Sequence, residues 1–386
     1  MDSTDYDIAI CGAGPTGSAL ALLLARHAPD PARIALIGKA FHVSRPGPSP
    51  AALDPRSLAL NQGSRVLLEQ LQAWPPHAAE IRTVHVSQRG HLGRTLICSD
   101  ELGTPRLGCV VAYDALLGSL HAAAAACGAT LIEAPQALPA SGHHVQIDLA
   151  GRRLASRVAV QSDGARPQGL HREYGQHAVL ATVETALPRP YWAFERFTRE
   201  GPLAILPHPD GGGLYGIVWC CAPGHARKLA GLAPAHFETA LRDAFGDRLG
   251  GFSLKSDRHV FPLSLHAGPS LLDAHTVAIG NAAQTLHPVA GQGLNLGLRD
   301  AAQLAQALAP WLAHPSPDPA PILAAFARKR RADRYLTAGI TDLLPRAFAS
   351  RNPLVRHACG LGLLALDLSL PLRAPLARHL MQGLRT

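Results

Sequence analysis

The sequence lacks paired cysteines, long basic runs and abundant aromatic side chains. Its seven cysteines are scattered, odd in number and without a Cys-x-x-Cys pair, which argues against both a metal site of the zinc type and a secreted disulfide framework. The net charge is +8, but aromatic residues are only 5% of the chain and no long Lys/Arg run occurs, so we expect no nucleic-acid partner. The positive charge suits an anionic membrane surface or a phosphate-rich cofactor better.

Long hydrophobic runs are absent as well. No stretch approaches the roughly 18 apolar residues that a membrane span needs, and a polar N-terminus leads directly into a strand-like segment. We therefore expect no signal peptide and a cytoplasmic location, with any contact to the inner membrane being peripheral. The 386 residues are 47% hydrophobic and 17% charged, which indicates a globular protein of one large domain or two closely associated ones.

A Gly-x-Gly-x-x-Gly motif lies between an apolar strand and an apolar helix near the N-terminus. Such a motif alone is as easily a plain glycine turn, but the strand and helix around it are typical of dinucleotide binding. In that role Gly12 allows the tight turn, Gly14 lets the backbone approach a pyrophosphate, and Gly17 lets the helix pack on the strand. The next strand ends in Gly38, followed by Lys39, where an acid usually holds the ribose. The predicted phosphate cradle consists of Gly12, Ala13, Gly14, Pro15, Thr16 and Gly17.

A second glycine-rich turn opens a helix near residue 291. Gly291 and Gly293 stand at its start, where unpaired N–H groups and the positive end of the helix dipole favour an anion. Between the two turns, a further strand ends in Asp163-Gly164. The second helix is predicted from apolar residues that recur every three or four positions: Leu294, Leu298, Ala301, Ala305 and Leu308.

The pattern of predicted elements changes along the chain. The first half alternates strands and helices, as a parallel sheet requires, whereas residues 176–222 and 252–266 contain short β-like runs that suggest an inserted antiparallel sheet. A leucine-rich tail follows residue 340; it is either a helix pair that docks on the core or a basic amphipathic surface for a membrane or a partner. The predicted domains are a discontinuous cofactor domain (1–75, 105–175 and 268–340), a substrate domain (76–104 and 176–267) and a C-terminal helical segment (341–386).

The two glycine motifs, the Asp163-Gly164 pair and the late segment 280–300 together resemble the flavin-dependent aromatic hydroxylases, which are single-component NAD(P)H monooxygenases. Within that family the chain is most similar to the ubiquinone-biosynthesis branch, and there to the 2-polyprenyl-6-methoxyphenol hydroxylases. The resemblance spans nearly the whole chain, and four further stretches support the branch: residues 54–60, 83–91, 193–198 and 201–207. It implies an α/β fold (α+β overall), with a Rossmann-like FAD-binding domain of the aromatic-hydroxylase type, an inserted antiparallel substrate domain and C-terminal helices.

The resemblance also implies a reaction. FAD would be the cofactor and NADPH or NADH and O₂ the co-substrates, and a C4a-hydroperoxyflavin would hydroxylate a polyprenylated methoxyphenol in ubiquinone biosynthesis. Because the flavin supplies the chemistry, no acid–base pair is required. Implied partners are the prenylated phenol, a ubiquinone-biosynthesis protein complex and a membrane surface. The alternatives are a hydroxylase for a sister ring position or a soluble aromatic, and a non-catalytic flavin-fold scaffold of a biosynthetic complex.

The resemblance also implies positions and roles for individual residues. His287 and Pro288 are expected near the flavin ring, without an assigned catalytic residue. Asp300 is expected to serve helix packing or to lie on the surface. Besides residues 12–17, the expected cofactor contacts are Arg56, Asp163, Asn281, Gly291, Gln292, Gly293, Leu294 and Asn295. The candidates for an apolar substrate pocket, with core packing as the alternative for each aromatic or leucine, are Phe194, Phe197, Leu206, Trp219 and Pro288.

Besides Gly38, three positions depart from the pattern of the wider family. Asn281 replaces an Asp that contacts the ribityl chain, and the methoxyphenol branch itself carries Asn there; its carbonyl still offers an acceptor. Pro167 and Leu170 replace the Ser and Arg that usually follow the Asp-Gly pair. These two changes concern the handling of the nicotinamide co-substrate.

Overall fold

The computed structural model describes residues 4–41, 56–140, 142, 144–164 and 169–382. Within these ranges the strands are β1 (Tyr6–Cys11), β2 (Ile34–Gly38), β3 (Ser57–Asn61), β4 (Ala79–Ile81), β5 (Thr83–Gln88), β6 (Arg94–Cys98), β7 (Gly108–Ala112), β8 (Thr130–Glu133), β9 (Leu138–Ala140), β10 (Val145–Asp148), β11 (Arg153–Gln161), β12 (Leu170–Thr185), β13 (Trp192–Phe197), β14 (Pro202–Pro207), β15 (Leu214–Cys221), β16 (Phe252–Leu254), β17 (His259–Ala267), β18 (Leu271–Asp273), β19 (Thr276–Ala278) and β20 (Gln284–Thr285). The helices are α1 (Pro15–Ala25), α2 (Gln62–Gln70), α3 (Tyr113–Ala126), α4 (Pro223–Gly231), α5 (Pro234–Phe245), α6 (Gln292–Ala313), α7 (Ala320–Phe348), α8 (Pro353–Leu368) and α9 (Leu370–Gln382).

A parallel sheet carries the first glycine motif. Its strands β19, β11, β1, β2 and β8 run parallel in that order. The central strand β1 is buried on both faces, which explains its unbroken apolar run. Ile8 and Ile10 pack with helices α1 and α6, whereas Ala9 and Cys11 pack on the opposite face with β10. The α/β fold class that the sequence predicts is confirmed.

A larger, mixed sheet has the strand order β20-β17-β12-β15-β14-β13-β5-β6, with β16 added on β12. One pairing differs from the antiparallel arrangement that the sequence predicts: β13 pairs with β5 in parallel, with Phe194 opposite His85. The two strands are separated by about a hundred residues of chain, so no hairpin turn imposes an antiparallel pairing. The helices α4 and α5, which the sequence analysis did not predict, follow β15 and pack on one face of this sheet.

The chain leaves this sheet after β11 and returns to it with β18 and β19, after the strands β12 to β17 of the mixed sheet. The mixed sheet also takes β5 and β6 from the segment before β7. This order agrees with an inserted sheet, while the individual domain boundaries stay a prediction. One of them, at 340–341, falls inside α7.

The C-terminal helices dock on the mixed sheet. The Phe348 ring of α7 stacks on Phe197 of β13 with 3.9 Å between the ring centroids, and Leu363 of α8 joins the same cluster. No single helix among the described residues is long and apolar enough to cross a membrane. Helix α8 and residues 370–379 of α9 reach that length and hydropathy together, but they meet at a bend of 99°.

Candidate flavin and substrate site

The turn between β1 and α1 requires two glycines for packing and leaves a third one open. Gly12 has φ +125°, and a Cβ there would lie 2.4 Å from the backbone nitrogen of Asp163. A Cβ on Gly17 would lie 2.0 Å from the carbonyl oxygen of Gly12. Gly14, in contrast, has no heavy atom within 4 Å of such a Cβ. A ligand can therefore approach the backbone at Gly14. Gly12 allows the loop to pack against Asp163, which follows β11, and Gly17 allows α1 to pack against the loop.

The second glycine turn is held by Asn295. Its side-chain Nδ2 donates to the carbonyl oxygens of Ala59 at 2.9 Å and of Gly291 at 2.7 Å, and its Oδ1 accepts from the backbone nitrogen of Asn61 at 2.9 Å. Gly291 has φ +59° and precedes the first residue of α6. Asn295 thus ties strand β3 to the start of α6. Its polar side-chain atoms bond to the protein backbone, and a contact of Asn295 with the cofactor stays a prediction.

Both glycine turns line one large cavity of about 1820 Å³. Ordinary small-molecule pockets occupy about 300–1,000 Å³, so this cavity has room for an extended dinucleotide and a second molecule. The glycine turns, the start of α6 and an open backbone at Gly14 fit the phosphates and ring of FAD. Except for Gly17, which is enclosed, all predicted cofactor residues line the cavity: Gly12, Ala13, Gly14, Pro15, Thr16, Arg56, Asp163, Asn281, Gly291, Gln292, Gly293, Leu294 and Asn295.

The end of β2 explains why a ribose-binding acid is absent at Gly38. A Cβ on Gly38 would lie 2.3 Å from the Cβ of Ala13, so no side chain fits there unless the first glycine turn moves. Lys39 and Arg56 also line the cavity. The Arg56 guanidinium lies over the Tyr113 ring, 4.1 Å from its centroid, and this cation–π contact holds one face of the guanidinium in place. Residues 54, 55 and 167, named in the sequence analysis, lie outside the described residues.

His287 lines the cavity and is buried. Burial lowers its pKa to about 4, against an opposing influence of Asp342, so the imidazole is neutral at physiological pH. Its Nδ1 accepts from the backbone nitrogen of Val289 at 3.2 Å, which places the proton on Nε2, 3.2 Å from Oε1 of Gln176. Both ring nitrogens are therefore engaged within the protein. His287 supports the loop that carries Pro288 toward the second glycine turn.

Buried charges lie behind that loop. The Asp300 carboxylate of α6 accepts from Arg330 of α7 and from Gln284 of β20, and the backbone nitrogen of Gly280 lies 3.4 Å away. Arg334 donates to the carbonyl oxygens of Gly268 and Ala283, each at 2.9 Å, and also bonds to Gln284. Of the two roles expected for Asp300, helix packing is the one observed, because its side chain is buried. The network fastens the loop after β19 to α6 and α7.

The far end of the cavity is mainly apolar. Phe197 and Leu206 of the mixed sheet line it, as does Pro288, and α8 and α9 close the opposite side with residues such as Leu363 and Leu376. Phe194 also reaches the cavity, although its ring packs mainly with Phe245 at 5.4 Å between centroids.

Of the two roles expected for Trp219, core packing is the one observed, because its ring packs near Phe237 in the core beneath α4 and α5. Neighbouring residues of a strand point to opposite faces, and in β15 it is Val218 that faces the cavity. The sequence did not predict that α8 and α9 line the cavity, because the leucine-rich pattern of the tail does not show on which part of the protein these helices pack. Glu195 was also missed, although its spacing of two from Phe197 places both on one strand face.

Comparison with known proteins supports the cofactor assignment. The family described as FAD binding domain matches residues 273–332, which include the second glycine turn. A protein from Synechocystis described as uncharacterised is 32% identical over 100% of this chain and 94% of its own length. The ubiquinone hydroxylase UbiL of Rhodospirillum rubrum is 36% identical over 61% of this chain and 56% of its own length. The 3-demethoxyubiquinol 3-hydroxylase of Escherichia coli is 28% identical, with 95% of this chain and 96% of that protein covered.

Among solved structures, p-nitrophenol 4-monooxygenase PnpA from Pseudomonas putida superposes with a TM-score of 0.74 over 100% of both chains, at 14% identity. That likeness concerns the fold. The glycine turns, the cavity and the relatives agree with one another, and the enzyme class predicted from the sequence is confirmed: the chain belongs to the FAD-dependent hydroxylases of ubiquinone biosynthesis.

Proposed function

We propose that this enzyme hydroxylates the aromatic ring of a polyprenylated methoxyphenol, with NADPH or NADH and O₂ as co-substrates. The supporting observation is that one cavity joins the glycine turns to an apolar chamber between the mixed sheet and the C-terminal helices. When bound, FAD would supply the redox chemistry, in which a hydride from the nicotinamide allows one atom of O₂ to enter an electron-rich ring while the other is reduced to water. A long prenyl chain needs an apolar chamber of this kind next to the reacting ring.

The chain's own residues bind, orient and exclude water. The turn at residues 12–16 cradles the pyrophosphate, and the N-terminus of α6 stabilises negative charge at the flavin end of the cavity. Val84, Leu206 and Val218 form an apolar wall that keeps water from the reacting atoms. No proton transfer is assigned to His287, because both of its nitrogens are engaged within the protein.

A second candidate substrate is a demethoxyubiquinol, which carries the prenyl chain but is hydroxylated at another ring position. The name of the Escherichia coli relative supports this candidate, since that protein matches nearly the whole chain. Both substrates present the same combination of an oxygen-substituted ring and an apolar tail. The reaction type is common to the two proposals, and they differ in the ring position.

The quinone profile of cells that lack the gene distinguishes these candidates. Accumulation of 2-polyprenyl-6-methoxyphenol that clears on complementation supports the first substrate, and accumulation of a demethoxyubiquinol supports the second. An unchanged quinone pool contradicts both and points to a soluble aromatic. Complementation with Gly14→Trp separates catalysis from a scaffold role, because a scaffold would keep its function without FAD.

We further propose that α8 and α9 contact the membrane from which a lipid substrate would enter. Leu354, Leu361 and Leu368 expose 77%, 66% and 79% of their surface. Leu372, also exposed, lines the cavity as well, so the apolar surface continues into the chamber. The alternative occupant of this surface is a protein of the same biosynthetic complex, and vesicle binding distinguishes the two.

A further inference from the structure

Glu195 lies in the wall of the apolar chamber. Of the described residues that the mixed sheet contributes to the cavity, it is the one ionisable side chain. Its cross-strand neighbours are Val86 on β5 and Ala204 on β14, and Ala204 in turn lies opposite Val218. All three neighbours line the cavity with Glu195. A carboxyl group therefore lies between two apolar cross-strand neighbours, Val86 and Ala204.

The Glu195 carboxyl has no partner among the described residues. Its Oε1 is fully enclosed and accepts no hydrogen bond. The adjacent Arg196 bonds elsewhere, with its Nε 3.1 Å from the carbonyl oxygen of Ala244 and its Nη1 3.3 Å from the Oγ of Ser87. Burial raises the pKa of Glu195 to about 8, so the group is protonated at neutral pH and carries an O–H donor. A buried polar group without a partner is unfavourable, and such groups in native proteins call for an explanation.

We infer that Glu195 is a substrate-binding residue whose carboxyl donates a hydrogen bond to an oxygen substituent on the aromatic ring. This inference rests on the proposed function and adds the contact that orients the ring. An apolar chamber alone would hold the prenyl chain but allow the ring to rotate. One polar group in an apolar wall fixes orientation, and a site built to bond an oxygen discriminates against ligands that lack it.

The test compares two short-chain ligands that differ only in the ring oxygen: a prenylated methoxybenzene and the prenylbenzene without the methoxy group. Binding to the FAD-loaded enzyme is measured from the perturbation of the flavin spectrum. For the wild-type enzyme we expect about tenfold tighter binding of the methoxy compound, which corresponds to about 1.4 kcal/mol. Glu195→Leu should bind the two ligands equally, whereas Glu195→Gln, which keeps an N–H donor, should retain part of the preference.

Glu184→Gln serves as the matched control, because Glu184 on β12 makes an exposed ion pair with Lys255. It should show the wild-type preference. General damage to the chamber would weaken both ligands equally and leave their ratio unchanged, so the ratio reports the hydrogen bond. The inference is overturned if Glu195→Leu keeps the tenfold preference, or if the wild-type enzyme shows none. Hydroxylation of a prenylated phenol by the wild-type enzyme is assayed in parallel and tests the proposed function separately.

Discussion

The Asp300 carboxylate on α6 lies 2.7 Å from the Nε of Arg330 on α7, and both side chains are almost completely buried. Arg330 also contacts Asp333 at 2.7 Å, which in turn contacts Arg299 at 2.8 Å. Burial alone would raise the pKa of Asp333, but Arg299 and Arg330 bring it below its usual range. These two carboxylates and two guanidinium groups therefore stabilise one another by ion pairs inside the protein. They lie behind the loop that leads to the second glycine turn.

Replacing Asp300 should loosen that loop. In Asp300→Ala the buried Arg330 guanidinium loses one of its two carboxylate partners. Removing one partner of a buried ion pair destabilises a protein by roughly 3–5 kcal/mol. We expect a lower free energy of unfolding in urea and faster loss of FAD on dialysis. The exposed Asp243→Ala should behave like the wild-type enzyme. Equal stability of Asp300→Ala and Asp243→Ala would show that the buried network does not hold the loop.

The first glycine turn allows binding and folding to be separated. Gly14→Val adds a side chain in open space, so the apoprotein should keep the wild-type thermal unfolding temperature while FAD per chain falls to near zero. Gly17→Ala forces a Cβ into the Gly12 carbonyl and should lower the unfolding temperature as well. Flavin absorbance per chain and thermal unfolding of the apoprotein measure the two effects. Full FAD content in Gly14→Val would mean that the pyrophosphate lies elsewhere.

His287 predicts a loss of stability in acid. Its pKa is lowered from 6.5 to about 4 in the folded chain, so the unfolded chain binds more protons between these values. The stability contribution is complete above pH 6.5 and is lost as the pH falls toward 4. His287→Asn, whose side-chain oxygen can replace Nδ1 as the acceptor for Val289, should show a smaller decline over this interval. Urea unfolding across the pH series measures it, with the exposed His314→Asn as control; parallel curves for all three proteins would contradict the expectation.

The proposed membrane contact involves leucines that lie outside the apolar chamber. Burying a leucine side chain is worth about 1.5–3 kcal/mol, so the double variant Leu361→Glu, Leu368→Glu should bind anionic phospholipid vesicles at least about tenfold more weakly. Leu187→Glu is the control, because Leu187 is exposed on a loop that follows β12. Co-sedimentation with vesicles measures binding, and turnover of a short-chain phenol should not change. Vesicle binding equal to that of wild type would instead favour a protein partner for this surface.

The sequence predicted those parts of the site whose structure is determined by residues close to one another in the chain. The glycine spacing after β1 and the apolar period of α6 correctly indicated where each helix begins, because a tight turn and a helix face are determined by neighbouring residues. The pairing of β13 with β5 could not be read in this way, since it joins segments more than a hundred residues apart. The face of Trp219 depends on the same tertiary arrangement, because alternation separates it from Val218 without telling which of them faces the ligand.

The buried partners of Asp300 show the same limit. An Asp two turns into an amphipathic helix is compatible with a solvated position until the helix that carries Arg330 is known to cover it. Glu195 is similar, because a single acid in a strand is usually exposed. Its burial results from the cavity wall that β5, β13 and β14 build together, and no local pattern contains that information.

The arrangement of the parallel sheet has a consequence for synthesis of the protein. Its central strands β1 and β11 leave the ribosome first, but the neighbouring strand β19 and helix α6, which packs on α1, come more than a hundred residues after β11. A nascent chain shorter than about residue 300 has the first glycine turn without the second. FAD, which binds the folded chain, would then stabilise only polypeptides that carry both turns. Retention of the yellow cofactor would in this way distinguish completed chains from truncated ones, and ribosome-bound intermediates of increasing length should acquire it in a single late step.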